Sequence, residues 1–190
     1  LEQGEPQGNV IEGKGVIKRL VTIDQKPIGR TPRSNLATYT GLFDTIRRLY
    51  APTPEACKRR FDAGWFSFNV AKGRCPKCEG VGSVMVELLF LPSVYAPCPE
   101  CHGTRYKPEV LAVTRHGKSI ADVLAMSVDE ACDFFADEPG LAHGFDVLRQ
   151  GGLGYLRLGQ PATELSGGEA QRIKLATELQ KQRQGHMLYV

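Results

Sequence analysis

Four of the six cysteines in this 190-residue chain fall in two C-x-x-C pairs, Cys75-Pro76-Lys77-Cys78 and Cys98-Pro99-Glu100-Cys101. Nineteen residues separate Cys78 from Cys98, inside the window typical of a two-knuckle zinc site. The two-residue gap lets both thiolates of a pair reach one metal, and glycines just after each pair (Gly80, Gly82, Gly103) permit the tight turn. Four thiolates close a tetrahedral shell with no open position, so the expected site is structural and holds a module short of core. Redox chemistry is the other use of C-x-x-C, but two matched pairs with glycine knuckles favour metal. His102 adjoins the last cysteine and competes poorly as a ligand where four thiolates are at hand. Cys57 and Cys132 have no paired cysteine nearby and are expected to be small buried residues. Lys72, Arg74 and Lys77 flank the metal module; they suit phosphates, and equally an ordinary solvated surface.

A second chemical stretch is Leu165-Ser166-Gly167-Gly168-Glu169-Ala170-Gln171-Arg172. Ser166 is placed to cap a helix over Glu169–Gln182, with Glu169 completing an S-x-x-E capping box. The start of a helix offers unpaired N–H groups and positive dipole charge, and Gly167 and Gly168 let an anion approach the backbone. A well-capped helix is the plain reading of S-x-x-E alone. The full octapeptide resembles the signature motif of ABC-type ATPases, in which the serine and glycines contact the γ-phosphate of ATP on a partner nucleotide-binding domain. In that light Gln25 resembles the Q-loop glutamine, which in that family reaches the catalytic magnesium and the attacking water.

The elements that must position these residues follow from periodicity and breakers. Residues 1–15 are glycine-rich and read as loop or linker; Val16–Ile23 reads as a β-branched strand ending at Asp24-Gln25 before Pro27 and Gly29. Gly29-Arg30-Thr31-Pro32-Arg33-Ser34-Asn35 combines two cations, hydroxyls and an amide, as a phosphate-gripping loop would; a solvated polar loop has the same composition. Helical spacing spans Gly41–Tyr50, and Thr53-Pro54 starts another helix bearing Lys58-Arg59-Arg60. Trp65–Val70 is expected as a short strand, and Ser83–Leu91 as a strand or hairpin projecting from the zinc base. Val110–Thr114 and Lys118–Ile120 are expected as a hairpin turning at His116-Gly117. Ser127–Glu130 is a further capping box opening a helix through Phe135, with Phe134 and Phe135 in the core, and a helix around Gly144–Gln150 ends at Gly151-Gly152.

Composition narrows the class. Hydrophobic residues make up 42% and charged residues 24%, ordinary for a soluble globular protein. A formal charge of +3 is only mildly basic and does not by itself establish a nucleic-acid partner. No apolar run approaches the ~20 residues that span a bilayer, and no secretory leader pattern opens the chain, so a cytoplasmic setting is expected. Leu1 opens without methionine, and His186–Val190 reads as an apolar strand that stops short, so the chain is expected to be part of something longer.

In order along the chain stand Asp24-Gln25, Gly29–Asn35, the four-cysteine module, Leu158-Gly159-Gln160-Pro161-Ala162-Thr163 and Leu165–Glu169. This combination, covering nearly everything from Val16 onward, resembles the C-terminal ATPase half of the UvrA family, the damage-recognition subunits of bacterial excinucleases. The resemblance implies an α/β fold with α+β insertions: part of an ABC-type P-loop ATPase domain with a helical signature subdomain and an inserted zinc module. It divides the chain into 1–29 (strand and Q-loop), 30–71 (first part of the signature and DNA-binding domain), 72–107 (zinc module), 108–164 (rest of that domain) and 165–190 (signature helix and start of the Walker B strand). It implies zinc on Cys75, Cys78, Cys98 and Cys101. It implies ATP and magnesium in the complete protein, with Ser166, Gly167, Gly168 and Glu169 meeting the nucleotide of the other half and Gln25 sensing the γ-phosphate. It implies double-stranded, damaged DNA held through backbone contacts, for which Arg30, Arg33, Ser34, Asn35, Lys72 and Arg74 are the candidates. It further implies a homodimer and a helicase-like partner within the excinuclease, reached through regions not in these residues. No G-x-x-x-x-G-K-[ST] phosphate loop occurs in the sequence, and the acidic Walker B residues would lie past Val190, so these residues alone are expected not to hydrolyse ATP. Two other classes share part of the pattern. A DnaJ-like protein-binding module has C-x-x-C-x-G-x-G, but in four repeats, against one full repeat here at Cys75–Gly82 and a variant at Cys98–Arg105. A transport ABC ATPase would leave the zinc module without a use.

Overall fold

The computed structural model describes residues 17–88, 91–181 and 186–190; the loop expected over 1–15 lies outside them. Strand β1 (Ile17–Val21) pairs in parallel with the last strand, β6 (His186–Tyr189), and Val190 extends the ladder by accepting from the Ile23 N–H at 2.7 Å. Parallel strands need a long crossover, and here nearly the whole chain is that crossover. It runs through α1 (Leu36–Tyr39), α2 (Leu42–Tyr50), α3 (Pro54–Arg59), the antiparallel hairpin β2 (Ser83–Leu88) and β3 (Leu91–Pro97), and α4 (Pro108–Leu111). It continues through the short hairpin β4 (Thr114–Arg115) and β5 (Lys118–Ser119), α5 (Ile120–Ala125), α6 (Val128–Phe134), α7 (Pro139–Gln150), a single 3-10 turn at Ala162–Glu164, and α8 (Gly167–Gln180). The described chain is mixed α/β.

One core holds the helices together. Leu42, Phe43, Ile46 and Tyr50 line one face of α2, and Leu141, Phe145 and Leu148 one face of α7, all buried against Ile120, Val123, Val128 and Ile173. Phe43 stacks on Phe68 with ring centroids 5.1 Å apart, and Phe135 on Phe145 at 5.7 Å. Helix starts are set locally. Asn35, Ser119, Ser127 and Ser166 each cap a helix through a reciprocal box with the residue three positions on. The outgoing and returning connections between the β1–β6 pair and the helical body run side by side: the Ala162 N–H donates to the Ser34 carbonyl at 2.7 Å and the Ala37 N–H to the Leu158 carbonyl at 3.0 Å.

Four expectations are corrected by this fold. Trp65–Val70 is a series of turns rather than a strand: the Trp65, Ser67 and Val70 N–H groups donate three residues back, while Phe66 and Phe68 are buried without a partner strand. Val110 belongs to α4, where Pro108 pre-sets the first turn and Val110 and Val113 are both buried, so the β4–β5 hairpin is only its last residues. Helix α7 begins at Pro139, five residues before the expected start. It tolerates Gly144 because Leu42 packs flush there; a Cβ would lie 2.5 Å from Leu42 Cδ2. Cys57 is exposed on the short α3 rather than buried, and Cys132 is half-buried.

Candidate functional site

The β2–β3 hairpin brings the two cysteine pairs to one base. Ser83 pairs with Pro97, the Cys98 N–H donates to the Gly82 carbonyl at 2.9 Å, and the Cys75 N–H donates to the Arg105 carbonyl at 2.9 Å. The sulfurs of Cys75, Cys78, Cys98 and Cys101 all lie within 4.8 Å of one another and are buried. Cys75 and Cys98 Sγ are 3.9 Å apart, and Cys78 and Cys101 Sγ 3.6 Å. A tetrahedral centre with Zn–S of about 2.3 Å has sulfurs about 3.8 Å apart, so the set fits zinc in spacing and in ligand type. The Gly82 N–H donates to Cys78 Sγ at 3.3 Å, a bond that favours the thiolate. As bare thiols Cys101 and Cys98 are pushed apart: burial drives Cys101 up to about 12, whereas at Cys98 burial is outweighed by the N–H groups of Cys101 and Glu100, which bring it to about 7. A divalent cation held by these four cysteines would supply the charge that keeps them as thiolates, and the closed shell would leave no position for a reacting water. His102 is exposed and outside the cluster.

The two knuckles share one backbone. Glu79 and His102, directly after the second cysteine of each, have φ of +50° and +49°. Gly80 and Gly103 follow at +84° and +88°, and Gly82 and Arg105 close the turns at +86° and +74°. Left-handed torsions come free to glycine and are unfavourable for arginine.

Ser166 caps α8 as expected. Its hydroxyl accepts from the Glu169 N–H at 3.3 Å, and the Glu169 carboxylate accepts from the Ser166 N–H at 2.7 Å. Glu169 also accepts from the Tyr155 hydroxyl at 2.6 Å, and this bond, with the Ser166 amide next, holds its carboxyl below the usual carboxylate range. Glu169 thus fixes the start of the helix. Ser166, Gly167 and Gly168 are exposed, and a Cβ at Gly168 would meet nothing within 4 Å, so the N-terminus of this 14-residue helix opens to solvent. Gln25 lies beside it: its side-chain amide donates to Gln171 at 3.2 Å, and a Cβ on Gly167 would lie 3.4 Å from its carbonyl oxygen.

Gln171 stands in the signature-like octapeptide, but neither it nor Lys174 has a role in the sequence reading. The Gln171 amide donates to the Ile23 carbonyl at 3.4 Å, and Lys174 Nζ donates to the carbonyls of Asp24 at 3.1 Å and Lys26 at 2.6 Å and to the Asp24 carboxylate. The Lys174 hydrogen bond holds the Asp24 carboxyl below its ordinary range. Together they pin the segment carrying Gln25 to α8. No local pattern announces partners about 150 residues apart in the chain.

The candidate phosphate-binding residues do not form one free cationic surface. Arg33 and Arg74 both turn to Glu79, at 3.3 and 3.8 Å, and Lys72 pairs with Asp62 at 2.7 Å. Ser34 packs against Gly29 and is half-buried. Asn35 is fully buried, and its side chain accepts from the Thr38 N–H at 3.0 Å to cap α1, while its Nδ2 is left without a partner. Arg30 is exposed and carries no ion pair among the described residues. It lines a groove with Tyr95, Pro97, Arg105 and Glu164, between the hairpin and the returning segment.

No family model matches the chain. Among curated proteins it is 56% identical over 180 residues to UvrABC system protein A of Micrococcus luteus, covering 95% of this chain and 18% of that protein. It is 57% identical over 180 residues to the protein of the same name from Thermus thermophilus, covering 95% of this chain and 19% of that protein. Among solved structures it superposes on UvrA2 from Deinococcus radiodurans with a TM-score of 0.87 and 70% identity, over 91% of this chain and 21% of that one. The chain therefore spans about a fifth of the length of the relatives it matches. Across that span the agreement in sequence and in fold is close and nearly unbroken, and the chain belongs to the UvrABC system protein A family.

Proposed function

We propose that this chain serves DNA damage recognition in nucleotide excision repair, as a segment of an ATP-dependent DNA-binding ABC ATPase. The observation that carries the proposal is identity of 56% and 57% to UvrABC system protein A over 95% of the chain. The four buried cysteines support a structural zinc, and the DnaJ-like and transport alternatives gain nothing from the comparisons.

The finer roles follow the family. Ser166, Gly167 and Gly168 face a nucleotide held by another ATPase half, with the positive end of α8 directed at its γ-phosphate and Glu169 fixing that end in place. Gln25 senses the γ-phosphate and magnesium. Clamped to α8 by Gln171 and Lys174, it moves with the signature. The zinc module and the 30–71 and 108–164 segments form the insert that meets double-stranded DNA, between the Q-loop strand of 1–29 and the signature helix and strand of 165–190. Arg30 leads the phosphate contacts; Arg33, Lys72 and Arg74 join them by exchanging carboxylate partners for phosphates, with Ser34 alongside. A damage sensor must accept every sequence, which suits backbone and deformability readout. The complete protein works in the bacterial cytoplasm as a homodimer and passes DNA to a helicase-like partner within the excinuclease, through regions outside this chain. Among the described residues no helix is long and apolar enough to cross a membrane.

Segment exchange tests the proposal. The Thermus protein with its matching stretch replaced by this chain should keep ATP-dependent preference for damaged duplex, and lose ATP turnover on Ser166→Arg. A chimera that folds, dimerises and ignores damage would overturn it.

A further inference from the structure

Arg105 is the only charged side chain buried among the described residues, at 7% exposure, and no carboxylate pairs with it there. A guanidinium out of water with no carboxylate in ion-pair contact, and only Glu164 acting on it from farther off, is unfavourable, and placing it on a left-handed backbone adds strain. Its Nη2 donates to the Gly159 carbonyl at 3.1 Å, and its guanidinium carbon lies 5.0 Å from the centre of the Phe68 ring. Its Nη1 is buried with no partner. Its stem lies against Gly82, where a Cβ would be 3.0 Å from Arg105 Cγ and 3.4 Å from Nε. Gly82 is the residue whose N–H donates to Cys78 Sγ and whose carbonyl receives the Cys98 N–H, while the Arg105 carbonyl receives the Cys75 N–H. Side chain and backbone of Arg105 thus touch both knuckles and the segment that returns to Ser166.

Four thiolates around a divalent cation carry a net charge of −2, a buried negative charge beside a buried cation. We propose that Arg105 is a positioning residue, the charge partner of the metal-loaded cysteine cluster, and that through its bond to Gly159 it holds the returning segment in register only while metal is bound. The inference rests on the zinc reading of Cys75, Cys78, Cys98 and Cys101. Linkage makes it reciprocal: what stabilises the buried guanidinium also tightens the metal.

The test compares the zinc-loaded chain with Arg105→Met and Arg105→Lys, both of which keep a side chain on the same backbone. Competition with a chromogenic chelator gives zinc affinity. Loss of an outer-shell partner should weaken the methionine variant by about 10- to 100-fold, with the lysine variant much nearer to wild type because it keeps the charge. Hydrogen exchange on the wild-type chain, with and without chelator, needs no variant to fold; removing zinc should speed exchange of Leu156–Gln160 at least about tenfold, since local opening sets that protection. Wild-type affinity in the methionine variant, equal losses in both variants, or unchanged exchange would overturn the role of Arg105 while leaving the metal site standing. A wild-type chain that takes up no zinc would overturn the metal reading and this inference together.

Discussion

The first cysteine knuckle, Cys75–Gly82, and the second, Cys98–Arg105, trace the same left-handed turns, yet their surroundings differ. Gly80 is pressed against the core: a Cβ there would overlap the Phe68 carbonyl. Its counterpart Gly103 has nothing within 4 Å of a Cβ and borders the grooves that run to Gly159 and Arg30. At the closing position Gly82 meets the torsion freely, whereas Arg105 meets it with a side chain held by Gly159 and Phe68. The same cysteine geometry is therefore enforced for different reasons, by close packing on one side and by an anchored cation on the other. The first knuckle is a foundation on the helical core, and the second is the connection to the segment that leads into the signature.

Breaking either knuckle at its thiolates should erase the difference. Cys78→Ser and Cys98→Ser are expected to reduce zinc from one per chain to near none and to unfold the module, by metal analysis and thermal melting; this is the largest effect. Next comes the glycine pair, which separates packing from torsion. Gly80→Ala should lower unfolding free energy by about 3 kcal/mol or more, combining left-handed strain with overlap of a backbone carbonyl. Gly103→Ala, strained by torsion alone, should lose only about 1–2 kcal/mol in the same denaturant titration. Equal losses would mean that the first knuckle is not seated on the core. Gly82→Ala should fall between them at about 2 kcal/mol, since its Cβ would sit 3.0 Å from both the Gly103 oxygen and Arg105 Cγ. The smallest change is Glu79→Ala, which removes the exposed partner of Arg33 and Arg74 and should shift stability by less than about 1 kcal/mol. That variant sharpens the comparison in another way: freeing two arginines beside the first knuckle should strengthen binding to duplex DNA at low salt.

How far the sequence revealed this arrangement depends on the range of each interaction. The two C-x-x-C pairs and the Ser127 and Ser166 capping boxes depend on spacings of three residues and were legible directly, and the pairs come together in one cluster as their matched pattern suggests. Ser83–Leu91 reads in sequence as a strand or hairpin; in the fold β2 ends at Leu88 and β3 begins at Leu91, and residues 89–90 lie outside the described ones. Trp65–Val70 misled because the apolar–polar alternation of Phe66, Ser67 and Phe68 mimics a strand, although all three are buried and no strand among the described residues lies beside them to complete a ladder. The length of α7 was hidden by Gly140 and Gly144, whose low helix propensity is overridden at Gly144 by contact with Leu42. Least legible were pairings across the fold. Nothing near Arg33 points to Glu79, nothing near Lys174 points to Asp24, and Arg105 looks like a surface cation until Gly82 and Gly159 close around it.

The central claim, that this segment meets DNA through its phosphates, is tested most directly by titrating the zinc-loaded chain against a fluorescently labelled duplex across a salt series, with Arg30→Ala beside it. The account predicts affinity that falls steeply as salt rises, and a log–log slope shallower by about 1 in the variant, the mark of one lost phosphate contact. Affinity indifferent to salt, or a variant indistinguishable from wild type in both affinity and slope, would contradict it.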